Sequence, residues 1–206
     1  MTCDYFDGAN GFDMTLSDGE SIRLRPVNIN DRKIIMKGMF SLSSQSRFFR
    51  FFFPILTLTD EQLRYFTEVD QQNHVAWLAV SQDQAEPTGY GIARFIRSQP
   101  QPHIAEFALV VIDSHQKRGL GVILMSLLYI LARIKKIEIL RASMLPENTV
   151  MSHWLGRLGA TGEYKNGVYW MNLNVLNDLS TQTSLSLQRL NDTIKKIEEA
   201  VTKKIG

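Results

Sequence analysis

The chain has 206 residues and a formal net charge of +2, from 23 basic and 21 acidic side chains. Hydrophobic residues make up 44% of it and charged residues 21%. These proportions are those of an ordinary globular protein, and they exclude a collagen-like, disordered or disulfide-rich chain. The nearly balanced charge, with aromatic residues that do not alternate with basic clusters, argues against nucleic-acid binding.

Several features predict a cytoplasmic protein without a membrane segment. The first residues include Asp4, Asp7 and Asp13 and lack the apolar stretch of a secretory signal. The most apolar window, residues 122–132, is shorter than the roughly 20 residues that span a bilayer. The single cysteine, Cys3, allows no intramolecular disulfide, is compatible with a reducing compartment and is expected to be an inert thiol.

The first predicted strand follows a polar lead-in over residues 1–20. In "SIRLRPV", the apolar residues Ile22 and Leu24 alternate with arginines, as in a half-buried strand, and Pro26 ends the pattern. We therefore place the start of the domain at residue 21.

Three helices are predicted next. "NINDRKIIMKGMFSL" begins with residues of the type that cap helices and continues with helical spacing. "SSQSRFFRFF" is a second, short helix that Pro54 stops. "TDEQLRYFTEV" is a third, because Thr59 followed by Gln62 three residues later forms a capping box.

The middle of the chain is rich in predicted strands. "HVAWLAVS" and "GYGIARFIR" are β-rich and separated by a turn-like segment, which indicates a hairpin. "HIAEFALVVI" is continuously apolar after Glu106, as in a strand buried on both faces. A turn and an amphipathic helix to about Ile134 follow it.

The remaining elements complete an α/β domain. "IEILRASML" is predicted as a strand, "ENTVMSHWLGRLG" as a helix with Gly159 near its C-cap, and "GVYWMNLNV" as the last strand. The order predicts a single domain over residues 21–176, with a mixed, mostly antiparallel sheet flanked by helices.

A C-terminal helical appendage is predicted over residues 177–206. Its apolar residues recur at spacings of three and four: Leu187, Leu190, Ile194, Ile197 and Val201. The stripe is too short to indicate an independent coiled coil, so packing on the parent domain is favoured. Pairing with a second subunit, which would make a homodimer, is the alternative.

A glycine-containing turn links the buried strand to the amphipathic helix. Gln116, Gly119 and Gly121 form the pattern QxxGxG at the start of that helix. Free backbone amides and the helix dipole suit a phosphate or pyrophosphate there, and glycine allows close approach. On the motif alone, glycines needed only for turn geometry are an equal alternative. The chain contains neither a GxxxxGK[ST] loop nor a complete dinucleotide fingerprint.

The sequence resembles the GNAT superfamily of acetyl-CoA-dependent N-acetyltransferases over about residues 22–175. Within that superfamily it is most similar to the acetyltransferase domain of bacterial Pat-type protein lysine acetyltransferases. The stretches that carry the resemblance, in order, are "IRLRPVNINDR", "SLSSQSRFFRFF", "LTDEQLRYFTEVD", "AEFALVV", "QKRGLG", "LMSLLYILAR", and "LPENTVM" before "LGRLGA".

The resemblance implies acetyl-CoA as the acetyl donor and assigns its contacts. Backbone amides of the turn would bind the pyrophosphate, through Gln116, Lys117, Arg118, Gly119, Leu120 and Gly121. The strand backbone would meet the thioester carbonyl and the pantetheine arm, through Leu109, Val110 and Val111, and Asn148 would approach the pantetheine. Asn148 is equally able to cap the following helix. For Lys117 and Arg118, side chains that are simply exposed to solvent on the turn are nearly as good an interpretation as contacts with phosphate.

Glu106 is the catalytic residue that the resemblance implies. An isolated carboxylate in an apolar strand should end at a cleft, because burying it unpaired is costly. An ammonium must lose a proton before its nitrogen can attack, and a partly buried glutamate suits that task as general base, directly or through water. The alternative is a salt bridge to Arg94 or Arg97 on the neighbouring strand.

The chain departs from the family at the position of the general acid. Many members have a tyrosine where this chain has Leu155, although Pat-type members commonly lack it. Ser152, Tyr164 or water could protonate the thiolate, and no residue is assigned. The aromatics of "RFFRFFFPIL" lie beside the expected acceptor side and are expected to pack rather than to form a lid.

The expected function is direct acetyl transfer to an amine, with a protein lysine as the first hypothesis for the acceptor. A small-molecule amine is the second hypothesis, because fold and donor site do not determine the acceptor. A weakly active acetyl-CoA-binding regulatory module is the third. The histidines lack metal-ligand spacing, so no metal is expected.

Overall fold

The computed structural model describes Phe6, residues 11–83 and residues 85–205. Residues 204 and 205 are described by their backbone only. Cys3, Asp4 and Asp7 lie outside the described residues. Its strands are β1 (Phe12–Thr15), β2 (Ser21–Pro26), β3 (His74–Ser81), β4 (Gly89–Arg97), β5 (Ile104–Val111), β6 (Ile139–Met144), β7 (Thr161–Lys165) and β8 (Val168–Asn174).

These strands form one eight-stranded sheet in the order β1-β2-β3-β4-β5-β6-β8-β7. Neighbouring strands run antiparallel, except β5 and β6, which are parallel and joined by a helical crossover. The mixed, mostly antiparallel α/β fold that the sequence predicts is therefore confirmed.

The helices of the described chain are α1 (Arg32–Phe40), α2 (Ser44–Phe51), α3 (Asp60–Thr67), α4 (Leu120–Ile134), α5 (Thr149–Arg157) and α6 (Leu185–Ile205). The predicted capping box of α3 is present, because Thr59 and Gln62 exchange side-chain and backbone hydrogen bonds. Helix α2 ends before Pro54, with Phe52 in the left-handed conformation (φ 67°).

The main core lies on the sheet face that α4 and α6 cover. Its fully buried side chains include Trp77, Phe95, Leu124 and Tyr129. Smaller clusters lie on the opposite face, under α1 and α3, around residues such as Met39 and Leu63. Because strand residues alternate between faces, Arg94 and Glu106 project on this second face.

β5 and β6 separate after a short stretch of pairing. The parallel register joins Ile104 with Ile139, Ala105 with Leu140, and Glu106 with Arg141, and it stops there. Residues 107–111 of β5 continue beside β4 alone within the described sheet. This separation opens a gap beside β5 that begins at Glu106.

Two strands were missed by the sequence analysis. β1 lies in the predicted lead-in and pairs with β2, and β7 pairs with β8 at the sheet edge. All five residues of β7 are exposed, so the strand has no buried face and no hydrophobic alternation to detect.

The C-terminal helix packs within its own chain, as the favoured interpretation predicts. Leu190, Ile194, Ile197 and Val201 are buried in the main core, where α6 lies against α4. The Ser126 hydroxyl of α4 donates to the Leu190 carbonyl at 3.3 Å. Among the helices of the described residues, none has the length and apolar character needed to cross a membrane.

Candidate active site

The QxxGxG turn leaves backbone amides open at the start of α4. Gly119 is the N-cap in the left-handed conformation (φ 87°), and no side chain caps the helix. A Cβ built on Gly119 or Gly121 would meet no atom of the described chain within 4 Å. The first-turn amides and the helix dipole can therefore meet an anionic group without steric hindrance, which fits a pyrophosphate.

Side-chain hydrogen bonds tie the turn to the rest of the domain. Gln116 Nε2 donates to the Val111 carbonyl at 3.1 Å. Asp113 accepts from the Ser43 amide and hydroxyl, both at 2.8 Å, and from the Ser46 hydroxyl at 3.1 Å. Burial alone would raise the pKa of Asp113, but these bonds hold it below its usual range. The turn and the start of α2 are thus held together.

The two basic side chains of the turn have different surroundings. Arg118 forms ion pairs with Asp18 and Glu20 of the β1–β2 turn. Lys117 is exposed and has a positive φ of 59°. The Arg118 guanidinium is therefore already paired within the chain. The backbone amides of the turn are better placed than this side chain to bind a phosphate.

Glu106 lies where β5 and β6 separate. Its side chain is exposed, so the expectation of a partly buried glutamate is wrong: the diverging β6 leaves it uncovered. Its Oε1 accepts a hydrogen bond from the Ser143 hydroxyl at 3.1 Å. The carboxylate therefore opens onto solvent at the gap and is oriented from the neighbouring strand.

The alternative salt bridge of Glu106 to the adjacent strand is not formed. Arg97 donates to the backbone carbonyls of Pro102 and Lys135. Arg94 interacts with His74 Nε2 at 3.1 Å and donates to the Phe66 carbonyl at 3.3 Å. The sequence could not separate these outcomes, because both arginines lie near Glu106 in the strand register.

Two arginines lie on the Glu106 face: Arg94, which the sequence analysis named only as a possible salt-bridge partner, and Arg50, which it did not identify. Burial lowers the pKa of Arg94 to about 9, and the nearby Arg50 adds to the decrease. Burial also lowers the pKa of Arg50, which Tyr65 and Glu106 partly offset. Only the tertiary fold brings Arg50 of α2 to this face, so the sequence pattern carries no signal for it.

The predicted pantetheine-side residues line the open part of β5 and the start of α5. Leu109, Val110 and Val111 place their side chains in the cores, and their backbone pairs with β4 on one side only. Asn148 caps α5, where its Oδ1 accepts from the Met151 amide at 3.3 Å. The capping interpretation is confirmed, and a contact with pantetheine stays a prediction.

The position of the family's tyrosine is buried in this chain. Leu155 is fully buried in the main core. The Ser152 hydroxyl donates to the Thr149 carbonyl within α5, and Tyr164 is 62% exposed on β7. A cavity of about 310 Å³ opens nearby between the end of β6, α5 and β8, and Ser152 lines it.

The aromatic segment of α2 is divided between packing and exposure. Phe51 packs against Phe66 of α3, with ring centroids 6.3 Å apart. Phe48 and Phe53 are 38% and 50% exposed. The packing expectation is thus confirmed for one of these rings, while the other two remain at the surface.

Comparison with known proteins defines the class of this site. A model of the Acetyltransferase (GNAT) family matches residues 42–160, which include Glu106 and the whole QxxGxG turn. The chain belongs to the GNAT family of acetyltransferases, for which acetyl-CoA is the donor. The open turn amides and the unpaired edge of β5 are compatible with that donor.

Individual relatives agree with this assignment. The chain is 33% identical to Acetyltransferase Pat of Mycolicibacterium smegmatis over 142 residues, which are 69% of this chain and 42% of the relative. The GNAT domain of S. lividans PAT superposes with a TM-score of 0.73 at 25% identity, covering 80% of this chain and 96% of that domain.

A structure containing the donor shares the fold. The yncA protein of Salmonella typhimurium, solved with its cofactor acetyl-CoA, superposes with a TM-score of 0.55 at 17% identity. The alignment covers 76% of this chain and 95% of that protein. At this identity, the likeness extends to the fold alone.

Proposed function

We propose that this protein is a protein lysine N-acetyltransferase in which Glu106 is the general base. The observation that carries the proposal is the position of Glu106, exposed at the point where β5 and β6 separate and held there by Ser143. The same strand leads directly to the pyrophosphate-type turn, so a base and a donor site would lie along one cleft.

The proposed transfer is direct. Acetyl-CoA supplies the acetyl group as a thioester, and the reaction forms a C–N bond to the acceptor and breaks the C–S bond. Glu106 removes one proton from the acceptor ammonium, directly or through water, so that the nitrogen lone pair can attack the carbonyl carbon. Its exposed position allows that proton to pass on to solvent. The second proton leaves the nitrogen after the attack and, through solvent, protonates the thiolate that is released as the C–S bond breaks.

Backbone groups of β5 would bind the developing oxyanion. An amide of residues 109–111 on the side facing the gap would donate to the thioester oxygen and stabilise negative charge in the transition state. The turn amides of Gly119, Leu120 and Gly121 would bind the pyrophosphate, and Asn148 would contact the pantetheine through the amide group that its capping bond leaves available.

A lysine acceptor is proposed because of the resemblance to Pat-type acetyltransferase domains. The chain spans 42% of the length of its Mycolicibacterium relative, so the activity of the complete relative is not carried over. The proposal places the enzyme in the cytoplasm, where acetyl-CoA and unmodified lysines are both present.

The test is to supply the protein with acetyl-CoA labelled in the acetyl group. One reaction contains a desalted protein extract, and a parallel reaction contains a mixture of small amines. Label that enters lysines of macromolecules supports the proposal. Label that enters only small amines keeps the chemistry and changes the acceptor, and binding without transfer supports a regulatory module.

A further inference from the structure

The buried guanidinium of Arg94 has no carboxylate partner among the described residues. Arg94 is 5% exposed, and its hydrogen-bond partners, His74 and the Phe66 carbonyl, are neutral groups. The ring of Phe66 lies 4.4 Å from its Cζ atom. A buried charge that lacks an opposite charge is costly, so this arrangement favours an anion nearby.

Arg50 of α2 adds a second positive charge at the same place. It is half-buried, lies over the Phe51 ring at 5.2 Å, and forms neither an ion pair nor a hydrogen bond with the part of the chain that the structure describes. The two arginines are linked by aromatic contacts, because the Phe51 ring beneath Arg50 packs at 6.3 Å against the Phe66 ring that lies beneath Arg94. The Arg50 guanidinium therefore has its full set of donors available to a ligand.

Both arginines are on the face of the sheet that carries Glu106. Ile96 pairs directly with Glu106 across β4 and β5, and Arg94 lies two residues before Ile96 on the same face. Glu106 also interacts electrostatically with Arg50. A carboxylate and a guanidinium thus lie near each other on the same face of the sheet.

We propose that Arg50, supported by Arg94, forms a carboxylate-binding subsite for the acceptor. This inference rests on the proposed function and specifies its substrate class: an amine that carries a carboxylate close to the reacting nitrogen. In a protein acceptor, this is a lysine next to aspartate or glutamate. The ammonium approaches Glu106 while the neighbouring carboxylate binds Arg50.

A carboxylate fits better than a phosphate. Glu106 places a negative charge on the same face, so a dianionic phosphate would be repelled more strongly than a carboxylate with a single charge. Arginine also matches a carboxylate through two parallel hydrogen bonds. The acceptor that fits this site therefore carries a negative charge close to the ammonium group that reacts.

The first test measures transfer to two blocked tetrapeptides, with glutamate or glutamine after the acceptor lysine. Free lysine and lysine amide form a second pair, which tests an α-carboxylate in a small acceptor. On the strength of a charge-assisted hydrogen bond, the wild type should favour the carboxylate member by roughly 10- to 100-fold in kcat/KM, mainly through KM. Arg50→Gln should remove the preference, and Arg50→Lys should restore part of it.

Arg64→Gln is the matched control. Arg64 is an exposed arginine of α3, so this variant changes the net charge equally without altering the proposed subsite. It should keep the full preference. A preference confined to the free amino acids would support the subsite but overturn a protein acceptor, and equal rates for both members of each pair would overturn the subsite itself.

A binding measurement decides the inference even if no transfer occurs. The same two peptides, already acetylated on the lysine, are titrated into the protein in the presence of CoA. Tighter binding of the glutamate peptide that Arg50→Gln abolishes supports the subsite, whereas equal binding or no binding of both overturns it. Failure of transfer to all four acceptors would count against the proposed function instead.

Discussion

Ser143 donates a hydrogen bond from its hydroxyl to Glu106 Oε1, at 3.1 Å, across the point at which β5 and β6 separate. The two residues belong to different strands, so the bond sets the direction of the carboxylate from outside its own strand. We interpret Ser143 as a positioning residue for the proposed base.

Replacing Ser143 with alanine should lower kcat by roughly two- to tenfold, which corresponds to the loss of one hydrogen bond. The dissociation constant for acetyl-CoA should not change, and Ser143→Thr, which keeps a hydroxyl, should retain most of the activity. Ser41→Ala serves as a control, because the exposed Ser41 hydroxyl bonds only to the Lys37 carbonyl of α1 in the described structure. A kcat of Ser143→Ala equal to that of the wild type would remove this role.

Gly119→Val should weaken acetyl-CoA binding by blocking approach to the turn amides. The Cβ of the new side chain would meet no atom of the described chain within 4 Å, so a bound pyrophosphate is the group that we expect it to obstruct. Gly159→Val is a matched control, because Gly159 has a similar φ of 84° and equally open surroundings and therefore bears similar backbone strain. Calorimetric titration with acetyl-CoA should show weaker binding in Gly119→Val only. Equal affinities would place the pyrophosphate elsewhere.

Folding stability should fall between about pH 6.5 and pH 4 partly through His74. Burial, followed by the effect of Arg94, lowers the pKa of His74 to about 4 in the folded protein, from its ordinary value of 6.5 in the unfolded chain. The unfolded state therefore binds more protons in this window, so His74 favours folding above it and this contribution disappears as the pH falls. Urea unfolding at several pH values should show a smaller loss for His74→Gln than for the wild type. Parallel pH profiles would contradict this.

Ile197→Ala should lower the free energy of unfolding by about 2–5 kcal/mol, because it removes a fully buried side chain of α6 from the core. Lys196→Ala, one residue earlier on the exposed side, should change it little. The melting temperature should also be independent of protein concentration if the stripe packs within one chain. A strong concentration dependence would instead favour the interpretation in which α6 pairs subunits.

The elements with strong local signals were predictable from the sequence. The capping box of α3, the β3–β4 hairpin, the turn before α4 and the apolar stripe of α6 each depend on neighbouring residues, and each is found as expected. β7 was missed because both of its faces are exposed. The ion pairs of Arg118 could not be predicted either, because their partners lie in the β1–β2 turn, which is distant from Arg118 in sequence.

The candidate site was predictable only in part. Glu106 and the QxxGxG turn stand out because each breaks a local pattern. The exposure of Glu106 depends on how far β6 follows β5, which no residue of β5 encodes. Ser143 and Arg50 come close to Glu106 only in the folded chain. Their own segments predict an ordinary strand and an ordinary helix, so neither residue stands out in the sequence.

The measurement that tests the central claim most directly is single-turnover acetyl transfer by Glu106→Gln with labelled acetyl-CoA, together with its binding of the donor. We expect unchanged affinity for acetyl-CoA and a transfer rate lower by roughly 10²–10⁴, the usual contribution of a general base. A transfer rate equal to that of the wild type across the pH range would contradict the assignment of Glu106 as the base.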